Sequence, residues 1–188
     1  MIKIIFLDIN GVIEPLSDEK VEITEEKLLY LCKKLENDFG IDFTKYGTGD
    51  IISVYYYWDR EALSQLKRIV ESTGAKIVIS SYWKLDGVQM MKDFFTIFGL
   101  GEYVIDVTPD VFRDKIDRTP FKQLYNEPLG DRPLEILEYL RIHQDEIEEY
   151  VAIDDRNLSP FLDGHWVKTQ SSLKEEDANK SIKILNRK

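Results

Sequence analysis

Five polar residues that could do chemistry follow three predicted strands of the chain. They are Asp8 after an apolar run, Ser80 and Ser81 after a β-branched run, and Asp154 and Asp155 after a third run. Each group alone has a structural explanation, because hydroxyls often cap helices and adjacent acids are usually solvated. Parallel strands, however, carry their carboxyl ends to one edge of a sheet, where open α/β sheets bind ligands. We therefore expect these residues to meet in one site.

The first of these strands ends in a pattern that suits a turn beside a ligand. The apolar run Ile4–Leu7 leads into Asp8, and Asn10 and Gly11 follow shortly after. Burying an unpaired carboxylate is costly, so an acid at the end of a buried strand favours a binding or catalytic role. Gly11 allows the backbone to turn sharply next to a bound group. This segment is therefore the leading candidate for the reacting centre.

Composition and charge argue against several classes of protein, among them membrane-spanning proteins and nonspecific nucleic-acid binders. The chain of 188 residues suits one domain, and its formal net charge of −10 opposes nonspecific binding to nucleic acids or anionic membranes. No apolar run approaches the roughly 20 residues that a membrane-spanning helix needs. The lone cysteine, Cys32, excludes an internal disulfide, so we expect a packed thiol in a cytoplasmic protein. A small phosphorylated substrate is compatible with this charge, and the oligomeric state stays open.

The order of predicted elements indicates a Rossmann-like α/β fold. Periodicity and caps predict helices from Thr24 to Gly40 and from Asp59 to Gly74. The other predictions are strands at 76–80, 103–107, 150–155 and 166–168, helices at 87–98, 133–140 and 174–186, and irregular segments at 41–58 and 108–131. Repeated βα units imply a parallel sheet of about five strands, covered on both faces in three α/β/α layers.

The ordered set of motifs resembles the haloacid dehalogenase (HAD) superfamily of phosphohydrolases. The matching motifs are Asp8-x-Asn10-Gly11-Val12, Ile77-Val78-Ile79-Ser80, Arg132-Pro133 and Val151-Ala152-Ile153-Asp154-Asp155. The run Ser80-Ser81-Tyr82-Trp83-Lys84 is similar to a small bacterial group whose second motif reads Ser-Ser-x-Trp-Arg/Lys. That group includes domains linked to nucleic-acid repair proteins. The resemblance covers nearly the whole chain and implies a single HAD-like domain over residues 1–188.

This resemblance implies a Mg²⁺-dependent phosphatase. Asp8 would attack phosphorus and form an aspartyl-phosphate, while Ser80 would donate a hydrogen bond to a phosphoryl oxygen. Arg132 would balance the charge of the transferring group, with Lys84 and Lys122 as alternatives. The implied Mg²⁺ ligands are an Asp8 oxygen, the backbone carbonyl of Asn10, Asp154 and, either directly or through water, Asp155. The implied substrate contacts are Gly11, Ser81, Lys84 and Trp58.

Asn10 departs from the phosphatase pattern, which has an aspartate at this position. That aspartate protonates the leaving group and then activates water, whereas an asparagine cannot exchange a proton near neutral pH. Losing general acid–base catalysis costs roughly 10²- to 10⁴-fold in rate. Asn10 is thus either an engineered replacement, a natural feature of a slow enzyme, or a mark of lost catalysis. The intact remainder of the motifs favours a phosphatase scaffold that is engineered or naturally slowed.

Residues 14–58 lie between the first two motifs, where this superfamily often carries a cap over the active site. We expect a small cap insertion here and a second, irregular insertion at 108–131. The aromatic run Tyr55–Trp58 could stack on a base or sugar, and it could equally bury against the core. Both readings stay open from the sequence.

Three hypotheses about function follow. The favoured one is a Mg²⁺-dependent phosphomonoester hydrolase acting through Asp8, with activity impaired by Asn10. The alternative is a catalytically silent module on the same fold that binds phosphate or protein. A phosphoaspartate receiver domain is disfavoured, because receivers place their acid pair after the first strand and this chain places Asp154 and Asp155 after the fourth.

Overall fold

Strands and helices alternate along most of the chain. The computed structural model describes residues 1–16, 21–122 and 130–187, without the side chains of Pro120 and Lys122. The strands are β1 (Ile2–Leu7), β2 (Lys76–Ile79), β3 (Val104–Val107), β4 (Ile147–Asp154) and β5 (Trp166–Lys168). The α-helices are α1 (Glu25–Phe39), α2 (Thr48–Ile52), α3 (Arg60–Thr73), α4 (Val88–Thr96), α5 (Thr119–Lys122), α6 (Asp131–Ile142) and α7 (Glu175–Leu185).

The five strands form one parallel sheet with β1 at its centre. Their order is β3-β2-β1-β4-β5, and every neighbouring pair is parallel. Leu7 at the end of β1 pairs with Ile79 of β2 and Ile153 of β4. The strands that lead into the candidate site residues, β2, β1 and β4, are therefore neighbours and end at the same edge of the sheet.

Helices cover both faces of this sheet. Alternate residues of β1 point to opposite sides, so Ile5 and Leu7 join one core cluster whereas Ile4 and Phe6 join another. The first cluster includes apolar side chains of α1, α3, α4 and α7, and the second includes Ile136 of α6. This arrangement confirms the predicted three-layer, Rossmann-like α/β fold.

The caps of the first two long helices follow the predicted signals. Thr24 and Asp59 each accept a hydrogen bond from a backbone N–H of the helix that they start. Gly40 and Gly74 end these helices in the left-handed conformation, with φ of 69° and 71°. These residues were predictable because each acts on the backbone beside it.

The prediction of an irregular segment at 41–58 is wrong in its detail. The segment holds a 3₁₀ turn at Phe43–Lys45, helix α2 and a π-helical turn at Ser53–Tyr57. Phe43, Ile51 and Val54 are buried in the same core cluster as β1, so tertiary packing stabilises turns that are too short to show periodicity. The role of residues 14–58 as a cap stays a prediction.

The second predicted insertion, 108–131, contains the short helix α5, and its last residue already belongs to α6. Pro133 lies in the first turn of α6, as predicted, because a proline there loses no helical hydrogen bond. Among the described helices, none combines the length and the apolar character that crossing a membrane requires.

Candidate active site

The parallel register brings three predicted site residues to one edge of the sheet. Hydrogen bonds continue the ladder past the strand ends, from the backbone N–H of Asp8 to Ile153 O at 3.0 Å and from that of Ser80 to Leu7 O at 2.8 Å. Asp8, Ser80 and Asp154 are each at most 4% exposed. The expected meeting of strand ends is therefore present in the fold.

Three carboxylates form a compact acidic cluster at this edge. Asp8, Asp154 and Asp155 each offer an oxygen atom, and these atoms lie within 4.8 Å of one another. Burial raises the pKa of Asp154 to about 6, and the negative charge of Asp8 adds to this while Arg132 opposes it. Crowding like charges in a buried place is unfavourable unless a cation joins them.

Arg132 is the cation that reaches the cluster. Its Nη1 lies 3.1 Å from Asp8 Oδ1 and 2.5 Å from Asp154 Oδ2. Burial opposes its charge, but the two carboxylates outweigh burial and raise the pKa of Arg132. The guanidinium is 5% exposed and enters from the first turn of α6. Arg132 thus joins the carboxyl ends of β1 and β4 through one nitrogen.

Ser80 and Ser81 follow β2, and both are buried. The Oγ atom of Ser80 has no hydrogen-bond partner among the described residues. Leaving a buried hydroxyl unpaired costs about 1–3 kcal/mol, and Ser80 shares this state with Ser53, Trp58 and Trp166 among the described residues. The hydroxyl of Ser80 is therefore available to a bound anion.

Gly11 permits the close approach of the first and fourth strand ends. Its φ is +77°, and a Cβ atom placed on it would lie 2.8 Å from both Cβ and Oδ2 of Asp155. The Thr169 hydroxyl donates to Gly11 O at 2.7 Å, which fixes this turn. Any larger residue would push Asp155 out of the acidic cluster, so Gly11 acts through backbone geometry.

Asn10 is exposed, and its amide faces a residue that the sequence interpretation did not include. Nδ2 donates to Glu14 Oε2 at 3.2 Å, and burial raises the pKa of Glu14. The backbone of Gly11 also donates to Glu14 O at 2.7 Å. The spacing of four residues between Asn10 and Glu14 did not predict this contact, because the segment is a turn and not a helix.

Lys84 lies beside the acidic cluster but has a carboxylate of its own. Its Nζ is 2.6 Å from Glu135 Oε2 and 2.9 Å from Pro109 O, and the side chain is 2% exposed. Burial lowers the pKa of Lys84, and Glu135 only partly compensates. Of the three candidate cations, Arg132 is the one that contacts Asp8 and Asp154, while the side chain of Lys122 lies outside the described residues.

Sequence analysis missed Glu135. It follows Arg132 by three residues on α6, a spacing that places two side chains on neighbouring positions of one helix face. This periodicity was the available signal, because it predicts that Glu135 accompanies Arg132 toward the sheet edge.

Trp58 does not lie with the polar site residues. It is 2% exposed, and its ring centroid is 4.9 Å from that of Phe95 and 5.7 Å from those of Trp83 and Phe98. A substrate ring cannot stack on a face that other side chains already cover. Of the two alternatives for the aromatic run, burial against the core is the one that Trp58 follows. We therefore leave Trp58 out of the proposed substrate site.

The donor set fits a hard divalent cation. Three carboxylates offer only oxygen atoms, which Mg²⁺ and Ca²⁺ prefer over nitrogen or sulfur. One guanidinium cannot neutralise three carboxylates, so negative charge remains to attract the cation. The acidic cluster can therefore hold a metal, and its chemistry leaves the choice of ion open.

Comparison with known proteins agrees with this geometry. No curated protein matches the chain. A family model described as "HAD domain in Swiss Army Knife RNA repair proteins" matches residues 4–178, a span that runs from β1 into α7 and includes every residue of the site. The chain therefore belongs to this family of HAD domains, which confirms the resemblance to the HAD superfamily.

Proposed function

We propose that the protein is a Mg²⁺-dependent phosphomonoester hydrolase that acts through an aspartyl-phosphate on Asp8. The observation that carries this proposal is the meeting of a buried carboxylate, Asp8, with the guanidinium of Arg132 at 3.1 Å. Membership of a HAD domain family supports the reaction class.

The first step in this proposal is attack by a carboxylate oxygen of Asp8 on phosphorus. A phosphorus–oxygen bond forms to Asp8 while the bond to the leaving oxygen breaks, and the leaving oxygen takes a proton from solvent because Asn10 has none to give. Arg132 is close enough to Asp8 to offset charge on the transferring group, and the unpaired hydroxyl of Ser80 can donate to a phosphoryl oxygen. Water then attacks phosphorus, releases phosphate and restores the Asp8 carboxylate.

Asp8, Asp154 and Asp155, with the backbone carbonyl of Asn10, would hold the Mg²⁺. When bound, Mg²⁺ would neutralise negative charge between nucleophile and phosphate. Arg132, which contacts Asp8, would be the second source of positive charge. Gly11 supports the arrangement by leaving room for Asp155.

We expect Asn10 to slow the proposed hydrolysis, because it stands where an acid–base group would act. Its amide can hold the position and donate a hydrogen bond, as it does to Glu14, but it cannot give or take a proton. We expect a loss of roughly 10²- to 10⁴-fold relative to an aspartate. The same residue favours the second candidate function, a catalytically silent module that binds phosphate or protein.

The test is phosphate release from a panel of phosphomonoesters, with Mg²⁺ and with a chelator. The protein with Asn10 is compared with Asn10→Asp, and Asn186→Asp, at the distant end of α7, serves as the matched control. We expect turnover that depends on Mg²⁺ and rises at least about tenfold only in Asn10→Asp. Metal binding without turnover in any variant would favour the silent module instead.

A further inference from the structure

A narrow cleft opens beside Arg132 and is not used by the chemistry described above. Its lining residues come from the turn after β2, the loop after β3, the start of α6 and the loop after β4. The lining combines the aromatic residues Tyr82 and Phe112 and the hydroxyl of Ser81 with charged residues of both signs, which are Lys84, Arg132, Arg156, Asp110, Asp131 and Glu135. Since Ser81 and Arg132 belong to the proposed phosphate site, the cleft is its direct continuation toward solvent.

Two large rings stand exposed at the mouth of this cleft. Tyr82 is 67% exposed and Phe112 is 78% exposed, although apolar rings are normally covered. The guanidinium carbon of Arg156 lies 5.9 Å from the centroid of the Tyr82 ring. Aromatic rings with a neighbouring guanidinium are the combination on which nucleobases stack. We call Tyr82, Phe112 and Arg156 the aromatic rim.

Two residues of the rim, Tyr82 and Arg156, adjoin the proposed site. Tyr82 directly follows Ser81, and the backbone N–H of Arg156 donates to Asp154 Oδ1 at 2.8 Å. The backbone N–H of Phe112 donates to Asp110 Oδ1 at 3.0 Å, in a loop that also lines the cleft. Tyr82 and Arg156 are thus positioned by neighbours of the proposed site, whereas Phe112 is positioned by the loop after β3.

The size of the cleft decides where a leaving group can lie. It holds about 30 Å³, which is room for about two water molecules and not for a sugar or a base. The organic part of a phosphate bound at Arg132 therefore does not fit inside the cleft, and Tyr82 and Phe112 are exposed rings at the cleft that it could contact.

We propose that the aromatic rim binds the base of a phosphorylated nucleoside, either free or at the end of a strand. This inference rests on the proposed function, because it assumes that the phosphate sits at Asp8 and Arg132. A flat base offers π-faces to Tyr82 and Phe112, whereas a sugar phosphate without a base offers none. The net charge of −10 confines recognition to a short unit near the cleft.

The experiment measures dissociation constants in the presence of Mg²⁺ by calorimetry. Adenosine 5′-monophosphate is compared with ribose 5-phosphate, which has the same phosphomonoester and no base. We expect the nucleotide to bind at least about tenfold tighter, and this ratio to fall toward one in Tyr82→Ala and Phe112→Ala. Tyr82→Phe keeps the ring and is expected to keep the ratio. Tyr30→Ala removes an equally exposed ring on α1 and is expected to change neither constant.

A 5′-phosphorylated trinucleotide separates the two sources of the ligand. Tighter binding of the trinucleotide assigns the rim to strand ends, and equal binding assigns it to free nucleotides. Equal affinity for the nucleotide and for ribose 5-phosphate would contradict base binding by the rim and would leave the proposed function standing. A ratio of the two dissociation constants that stays unchanged in both alanine variants would have the same meaning. Failure of both ligands to bind, together with absent phosphate release, overturns the proposed function and the rim with it.

Discussion

The molecule contains two buried cations near the same sheet edge, and their surroundings differ. Lys84 Nζ lies 2.6 Å from Glu135 Oε2, so the two charges cancel, and Nζ also donates to Pro109 O and to the Thr108 hydroxyl. Arg132 faces Asp8 and Asp154, with Asp155 close by, so one positive charge meets three negative ones. The first arrangement is electrically complete, whereas the second retains negative charge.

This difference indicates that the Lys84–Glu135 pair is structural, whereas the cluster around Arg132 belongs to the candidate site. A balanced buried pair holds elements together, and Lys84 joins the turn after β2 to α6 and to the loop after β3. An unbalanced cluster is unfavourable until a cation binds, because buried like charges repel each other. The hydroxyl of Ser80, which follows β2 beside β1, has no partner among the described residues, as expected for a group that binds an anion.

The largest expected effect is the loss of the nucleophile. Asp8→Asn, made in the Asn10→Asp background where turnover is measurable, is expected to lower phosphate release by at least about 10³-fold. It should also abolish any aspartyl-phosphate detected by intact-protein mass spectrometry. Thermal unfolding serves as the control, because removing one of three crowded carboxylates is not expected to destabilise the metal-free fold. Unchanged turnover would remove Asp8 from the reaction.

The second effect tests the scaffold side of the comparison. Lys84→Met keeps the length of the side chain but leaves the Glu135 carboxylate buried without its cation. We expect the free energy of unfolding to fall by about 3–5 kcal/mol in urea titrations. The double variant Lys84→Met/Glu135→Gln should recover a large part of this loss, because the amide oxygen can still accept from the Val111 N–H. A loss below about 1 kcal/mol in the single variant would show that the pair is not structural.

The sequence predicted the parts of the site that depend on local pattern. Asp8 and Asp154 were found because each ends an apolar strand, and parallel strands share an edge. The pairing of Lys84 with Glu135 could not be predicted, since it joins residues that are distant in sequence and depends on how α6 packs. The burial of Trp58 was also open, because an aromatic run without clear periodicity does not say which ring faces the core.

A smaller effect distinguishes the guanidinium of Arg132 from a simple positive charge. Arg132→Lys keeps the charge, but the shorter side chain does not carry its nitrogen as far as Nη1, the one atom that contacts both Asp8 and Asp154. We expect turnover in the Asn10→Asp background to fall by about 10- to 100-fold. Arg141→Lys is the matched control, because Arg141 is exposed and pairs only with Glu138 among the contacts described for it. Equal activity of both variants would mean that Arg132 supplies charge alone.

The smallest effect concerns pH and the acidic cluster. Because burial raises the pKa of Asp154 from 3.8 to about 6, the metal-free protein favours the protonated carboxyl and loses stability as the pH rises through this range. Magnesium needs the ionised form, so its stabilising effect should be small at about pH 5 and should grow above about pH 6. With Mg²⁺ at about 100 times its dissociation constant, we expect the melting temperature near pH 7.5 to rise by about 5–10 °C over that with chelator. In Asp154→Asn the group that titrates is gone, and both the Mg²⁺ effect and its dependence on pH should largely disappear. A Mg²⁺ effect that is equal at both pH values would place the ion elsewhere and leave Arg132 as the only cation of the site.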